Sequence, residues 1–227
     1  MSPQSHVAVA SDQSLIAETV SAALAGPGLR VTRVPWPGAS TLPLPRSGDH
    51  IDVGVMLCDL HPAARLCEAL TRLRTAEIPW LVLTGAPPGP LWGAVLEAGA
   101  AAVHSSSARL DEVATMIDRM LRGNRLMDDG YVAELLRAWR VVEQNQRAAA
   151  HGVRSLSPRE LAVLGRMHAG ESVQRIAHEL QVSESTVRSH VRSVLQKLDV
   201  KTQLAAVAEY EMAHALECSR TATAGIS

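Results

Sequence analysis

The sequence predicts an α/β doubly wound parallel sheet followed by an all-α four-helix unit, and three observations support this. Between residues 6 and 122, short apolar runs alternate with helix-patterned stretches, the order of a sheet covered by helices on both faces. The run 53-VGVMLC-58 has no polar position, as expected of a strand buried on both sides. From residue 156 onward, apolar residues recur at three- and four-residue steps, with helix-capping residues ahead of each stretch.

Taken in order, His6–Ala10 is a short apolar strand, and Asp12–Ala25 is a helix closed by 26-GPG-28. Leu29–Val34 alternates apolar and polar residues, apart from a slip at Arg33, and reads as a second strand. Pro35, Pro37, Pro43 and Pro45 exclude a regular helix from 35-PWPGASTLPLPRSGD-49, which reads as a surface loop or a lining for a small ligand or partner. The central strand Val53–Cys58 ends at Asp59, and His61–Arg74 is helical. Strands Ile78–Thr84 and Ala101–His104 then alternate with helices Pro90–Ala98 and Ala108–Arg122. Residues 128–152 form a long amphipathic helix with Val132, Leu135, Leu136, Trp139 and Val142 along its apolar stripe. Gly152 and Ser155 mark a hinge after it.

Ser157, Pro158 and Glu160 make a capping box with proline at the first helical position. The helix they open directs Leu161, Leu164 and Met167 inward and stops at Gly170. Ser172 caps a second helix, Val173–Leu180, whose inward residues are Ile176, Ala177 and Leu180. Gln181-Val182 form a tight turn, Ser183 caps the third helix, and Thr202 opens the fourth. In the third helix Val187, Val191, Val194, Leu195 and Leu198 share one face, and Ser185, Arg188, Ser189 and Arg192 the other. Two helices joined by a tight turn are a helix-turn-helix, whose second member reads DNA. Arg188 and Arg192, one turn apart, have the donors to bond guanine edges in a major groove. Taken alone, such a helix reads better as an ordinary surface helix with two solvated arginines.

Net charge is −1, so any nucleic-acid surface has to be local. Lys197 and Lys201, the only lysines, both lie in the C-terminal unit, and residues 184–201 hold four basic side chains against two acidic ones. Cys58, Cys67 and Cys218 show no zinc-ligand or CxxC spacing and read as reduced thiols. No apolar run approaches a membrane span and no leader pattern opens the sequence, so the expected location is the cytoplasm and no membrane partner is expected. No catalytic triad, metal-ligand set or glycine-rich phosphate loop is spaced for chemistry, so an enzyme is not expected.

The stretches 156-LSPRELAVL-164, 170-GESVQRIAHEL-180, 182-VSESTVRSHVRSVLQKLDV-200 and 202-TQLAAVAE-209 resemble the LuxR-type helix-turn-helix domain. The resemblance implies that Arg188, Ser189 and Arg192 face the groove, and that Gln174, Lys197 and Lys201 touch the DNA backbone. It also implies a dimer contact on the fourth helix through Leu204, Val207, Ala208 and Met212.

The stretches 7-VAVASDQ-13, 53-VGVMLCDLHP-62, 78-IPWLVLTGA-86 and 96-LEAGAAAVHSSS-107 resemble the receiver domain of NarL/FixJ-type response regulators. A working receiver needs an acid pair for Mg²⁺, a phosphoacceptor aspartate, a Thr or Ser, a lysine and a switch aromatic. On this sequence those positions fall on Ser11 and Asp12, Asp59, Thr84, Ser106 and Val103. One acid, the lysine and the aromatic are therefore missing, which implies a degenerate pocket with a weakened Mg²⁺ site and no other cofactor.

The expected organisation is a receiver-like domain over 1–125, a helical linker over 126–153 and a LuxR-type domain over 154–220. The expected function is sequence-specific transcriptional regulation by a dimer on a double-stranded operator, independent of phosphorylation, with a small ligand or partner protein as candidate signal. Two rival readings are a switch phosphorylated at Asp59 and a module that heterodimerises with another regulator.

Overall fold

A computed structural model describes residues 5–26, 28–34, 36, 50–61 and 63–224, with side chains described to His214. Apart from Trp36, the proline-rich stretch 35–49 lies outside the described residues, as does the side chain of Cys218.

Five strands form one parallel sheet: β1 Ser5–Ser11, β2 Leu29–Val34, β3 Val53–Leu57, β4 Trp80–Thr84 and β5 Ala102–Ser105. Their spatial order is β2-β1-β3-β4-β5, so the chain reverses direction across the sheet between β1 and β3. Helices α1 (Ser14–Leu24), α2 (Ala63–Arg74), α3 (Pro90–Glu97) and α4 (Leu110–Leu121) cover it. The expected fold is the one observed. The strand expected from Ile78 begins only at Trp80, because Pro79 has no N–H to give the ladder. The helix expected from His61 begins at Ala63.

Period-two alternation sorts the strand residues onto two faces. Val7, Val9, Val53, Val55, Leu81, Leu83 and Ala102 pack against Leu24 of α1 and Val113, Ile117 and Met120 of α4. On the other face Trp80 lies beside Gly54 in register. A Cβ at Gly54 would stand 2.4 Å from the indole ring, so this glycine makes the room that buries Trp80.

The long helix α5 (Asp129–Arg154) follows, and the chain divides into two compact units, Met1–Arg140 and Val141–Ser227, inside it. In the first unit α5 lies against α3 at a glycine notch. A Cβ on Gly93 would come within 2.1 Å of the Leu135 carbonyl oxygen. Beside it Trp139 Nε1 donates to Glu97 at 2.8 Å, and Leu135 and Trp139 are buried. In the second unit Ala149 and Ala150 of α5 cluster with Ala213. Gly152, expected with Ser155 to mark a hinge, is helical. Gly152 lies inside α5, where its missing side chain admits Leu198, and Ser155 N–H bonds the carbonyls of His151 and Gly152 beyond the helix end.

Four further helices build the second unit: α6 Pro158–His168, α7 Val173–Leu180, α8 Glu184–Lys197 and α9 Gln203–Ala224. One cluster joins Val163, Ile176, Ala177, Val187 and Val191, and another joins Leu156, Leu164, Val194 and Ala206. The expected inward stripe of α6 is corrected in one respect. Leu161 is 39% exposed, while Glu160 and Val163 are buried, so the inward face is rotated by one residue.

Candidate nucleic-acid interface and receiver pocket

The helix-turn-helix is set by local chemistry. Ser172 Oγ accepts from Arg175 N–H at 3.3 Å at the head of α7, and Ser183 Oγ accepts from Thr186 N–H at 3.1 Å at the head of α8. Between them Gln181 is left-handed at φ 54°, closing α7 so that Val182 N–H bonds the Ala177 carbonyl. Val187, Val191 and Val194 then point α8 inward, which leaves Ser185, Arg188, Ser189 and Arg192 exposed together on its outer side. Arg188 is held one turn back by Glu184 at 2.9 Å, both side chains being solvated. Arg192 has no ion pair among the described residues. Gln174 and Lys201 are exposed as well.

Lys197 is placed differently from these. Its ammonium bonds Glu160 Oε2 at 2.8 Å, while Ser193 donates to Oε1 at 2.7 Å and the Ser157 N–H to Oε2 at 2.7 Å. These donors, Lys197 foremost and then Ser193 and Ser157, draw the Glu160 carboxyl from 4.5 down to about 2. A capping-box residue thereby ties the head of α6 to the tail of α8. The capping box is visible in the sequence; the tie spans 37 residues and has no local signature.

On α9 the proposed dimer residues do not all lie free. Leu204 is 80% exposed and Ala208 is exposed, but Val207 is half-buried and Met212 packs against the Ala149–Ala150–Ala213 cluster. Tyr210 sits between the rings of His168 and His214 on the α6 side.

In the first unit the C-terminal ends of β1, β3, β4 and the turn after β5 surround a cavity of about 230 Å³. It gathers Ser11, Asp12, Asp59 and Ser106, four of the six receiver positions, with Cys58 and Gly85. Val103 does not line it, and neither does Thr84. The Thr84 side chain is fully buried, and its hydroxyl accepts from Ala86 N–H at 3.2 Å. Ser11 is buried with its hydroxyl accepting from Gln13 N–H at 3.1 Å. Gly85 lies between the acid and the hydroxyl: a Cβ there would be 3.5 Å from Asp59 Oδ1 and 3.8 Å from Ser106 Oγ. Burial first, then Asp12 and Asp59, pushes the Cys58 thiol up to about 12, so it stays protonated and inert.

The sequence reading missed Arg65. From α2 its Nη1 reaches Asp12 Oδ2 at 3.5 Å, and the Asp12 side chain is only 9% exposed. Asp12 and Arg65 lie on separate elements, so no spacing rule could pair them. The Mg²⁺ that the receiver resemblance implies does not fit these residues. One acid is a buried serine, and the other meets a guanidinium.

A doubly wound sheet with an acid-lined edge, joined to a helix-turn-helix unit, defines a two-domain response regulator. The chain belongs to the NarL-type transcriptional regulatory proteins. It is 31% identical over 208 residues to the probable transcriptional regulatory protein NarL of Mycobacterium tuberculosis, covering 90% of this chain and 92% of that one. Residues 154–209 match the family described as bacterial regulatory proteins, luxR family. The glycerol metabolism activator of Pseudomonas putida is 25% identical over 169 residues, covering 71% of this chain and 75% of that protein. Full-length FixJ from B. japonicum aligns at 23% identity over 94% of this chain and 98% of that one, with a TM-score of 0.41. The protein is thus a DNA-binding transcriptional regulator rather than an enzyme. No helix among the described residues is long and apolar enough to cross a membrane.

Proposed function

We propose that this protein is a cytoplasmic, dimeric, sequence-specific regulator whose receiver-like domain signals without phosphotransfer. The observation that supports sequence reading is the outer face of α8, where Arg188, Ser189 and Arg192 stand exposed on a helix fixed from behind by three buried valines. Arg188 and Arg192 are assigned to base edges and Ser189 to the groove. Gln174, Lys197 and Lys201 are assigned to the phosphate backbone. The dimer contact is assigned to α9 through Leu204, Val207, Ala208 and Met212. The working boundaries are a receiver-like domain over 1–125, a linker over 126–153 and a DNA-binding domain over 154–220.

Operator titration tests this assignment. Arg188→Ala and Arg192→Ala should each cost about 1–3 kcal/mol and relax preference at particular base pairs. Lys201→Ala should instead weaken binding to every sequence and lower the salt slope by about 1, and Lys197→Ala should lower it by less, because its ammonium is shared with Glu160. Unchanged operator preference in both arginine variants would remove the groove assignment.

Independence from phosphotransfer is supported by the missing acid at Ser11, the missing lysine at Ser106 and the absent ring at Val103, which is buried in the sheet. A phosphoryl group on Asp59 then has little differential interaction with two states and so little leverage over them. A small ligand or partner protein, heterodimerisation with another regulator included, is the corresponding class of signal. The second reading, an Asp59 switch, is favoured by the accessible position of Asp59 in the cavity. A rise of about tenfold in operator affinity with a phosphodonor, abolished by Asp59→Asn and equal to about 1.4 kcal/mol of coupling, would establish that second reading.

A further inference from the structure

We infer that Arg65 is the resident cation of the receiver-like pocket, so that Asp12 is neutralised by a guanidinium from α2 and not by a divalent metal. The inference deepens the phosphotransfer-independent reading and rests on it. Three features of the pocket support it. Arg65 Nη1 lies 3.5 Å from Asp12 Oδ2, on a carboxylate that is 9% exposed and whose acidic neighbour has become Ser11. The guanidinium is also held from behind: Glu68, one turn further along α2, lies 3.8 Å from the same Nη1, and Glu68 in turn accepts from Trp36 Nε1 at 3.2 Å. Arg65 thus bridges two carboxylates on different elements. The cavity beside it offers Asp59 as its remaining acid, with Ser106 opposite.

Chemistry favours the guanidinium in that contest. Arginine is a planar cation with several donors and a weakly hydrated charge, and here it is tethered to the pocket's edge by its own side chain on α2. Mg²⁺ surrenders its hydration shell reluctantly and is held by one or two carboxylates plus waters and phosphate oxygens. To enter here it would have to displace Arg65 from Asp12 and leave that cation facing Glu68 alone. Arg65 is 37% exposed, which screens the pair in part, so its effect is to occupy the carboxylate rather than to hold the domain together. The state of the pocket is then the same with or without divalent metal.

Mn²⁺ serves as the probe, its free concentration read by electron paramagnetic resonance on the full-length protein. Wild type should take up no Mn²⁺ at millimolar metal. Arg65→Gln, which keeps most of the stem and removes the charge, should bind at least about tenfold more tightly, and adding Asp12→Asn should abolish that gain. Arg65→Lys keeps a cation and should stay metal-blind. Equal uptake by wild type and Arg65→Gln, with unchanged helical circular dichroism, overturns the inference. So does Asp12-dependent uptake by wild type itself, a result that needs no Arg65 variant to fold. A phosphodonor titration of operator binding by wild type runs in parallel. A response there without Mn²⁺ uptake strikes the proposed function alone. Mn²⁺ uptake without a response strikes Arg65 alone.

Discussion

Glu160→Gln is the sharpest test of how the DNA-binding unit is held together. The carboxylate is buried at the head of α6, and its folded-state value is drawn from 4.5 to about 2 by Lys197, Ser193 and Ser157. Every tenfold change in proton affinity corresponds to about 1.36 kcal/mol, so the unscreened effect would be about 3 kcal/mol. The Lys197 side chain is 41% exposed, however, and solvent on that side reduces the figure to about 1–2 kcal/mol. The sign follows from linkage. A depressed carboxylate contributes stability that is fully present above pH 4.5 and is lost as pH falls towards 2. Wild type should therefore exceed Glu160→Gln by about 1–2 kcal/mol at neutral pH, with the gap closing through that acid window. Gln keeps an acceptor for the Ser157 N–H, so the capping geometry survives the change. Urea unfolding is the assay. All four tryptophans lie before residue 141, so a loss of helical circular dichroism without a change in tryptophan emission reports the second unit alone. A gap between wild type and variant that stays constant from neutral pH down to the foot of the window would refute the electrostatic account.

Other consequences follow from the packing and the proposed assembly. Gly93→Ala should destabilise the first unit by several kcal/mol, roughly the scale of severe overpacking, because the added carbon meets the Leu135 carbonyl and the Trp139 side chain; tryptophan-detected unfolding measures it. Trp139→Phe at the same seam removes the hydrogen bond to Glu97 and should cost about 1 kcal/mol by the same assay. On α9, Val207→Arg should abolish cooperative filling of paired half-sites in a gel-shift titration while leaving the helical signal intact; unchanged cooperativity would move the dimer contact elsewhere.

What the sequence revealed and what it concealed divide along physical lines. The parallel sheet was legible because β3 and β4 are buried on both faces and so appear as unbroken apolar runs. The helix-turn-helix was legible because serines mark both of its helix starts and because αL closure and caps are local chemistry. The inward face of α6 was misread by one residue for a definite reason. Leu161, Leu164 and Met167 satisfy a helical stripe, and so do Glu160, Val163, Leu164 and Met167, and hydropathy prefers the set without a charge. Only the tertiary partners Lys197 and Ser193 make the charged set the buried one. Arg65 escaped on the same grounds, since its contact with Asp12 joins separate elements. Gly93 escaped because a glycine in a short helix gives no sign of what lies against it until α5 is in place.

The charge distribution bears on why the proposed DNA-binding unit would need a second copy. Net charge is −1, and the acids outside residues 184–201 outnumber the bases there, so the protein as a whole has no long-range attraction for a polyanion. Affinity must come from the few cations of the α8 face, and two of those are already engaged, Arg188 with Glu184 and Lys197 with Glu160. The two engagements differ in kind. Arg188 and Glu184 are both solvated, so a guanine edge can take over that guanidinium at little cost. Lys197 is tied to a buried carboxylate, and drawing its ammonium fully onto a phosphate would leave Glu160 without its principal donor. Lys197 therefore suits a shared contact, keeping Glu160 while its exposed side meets the backbone, and its phosphate contribution should fall below that of Lys201. With Arg188 and Arg192 on base edges, a single unit neutralises at most about two phosphates through Lys201 and Lys197, for a salt slope of no more than about −2, and two units on paired half-sites double it. A measured slope of about −2 or shallower for the full-length protein on a paired site would mean that one unit binds alone.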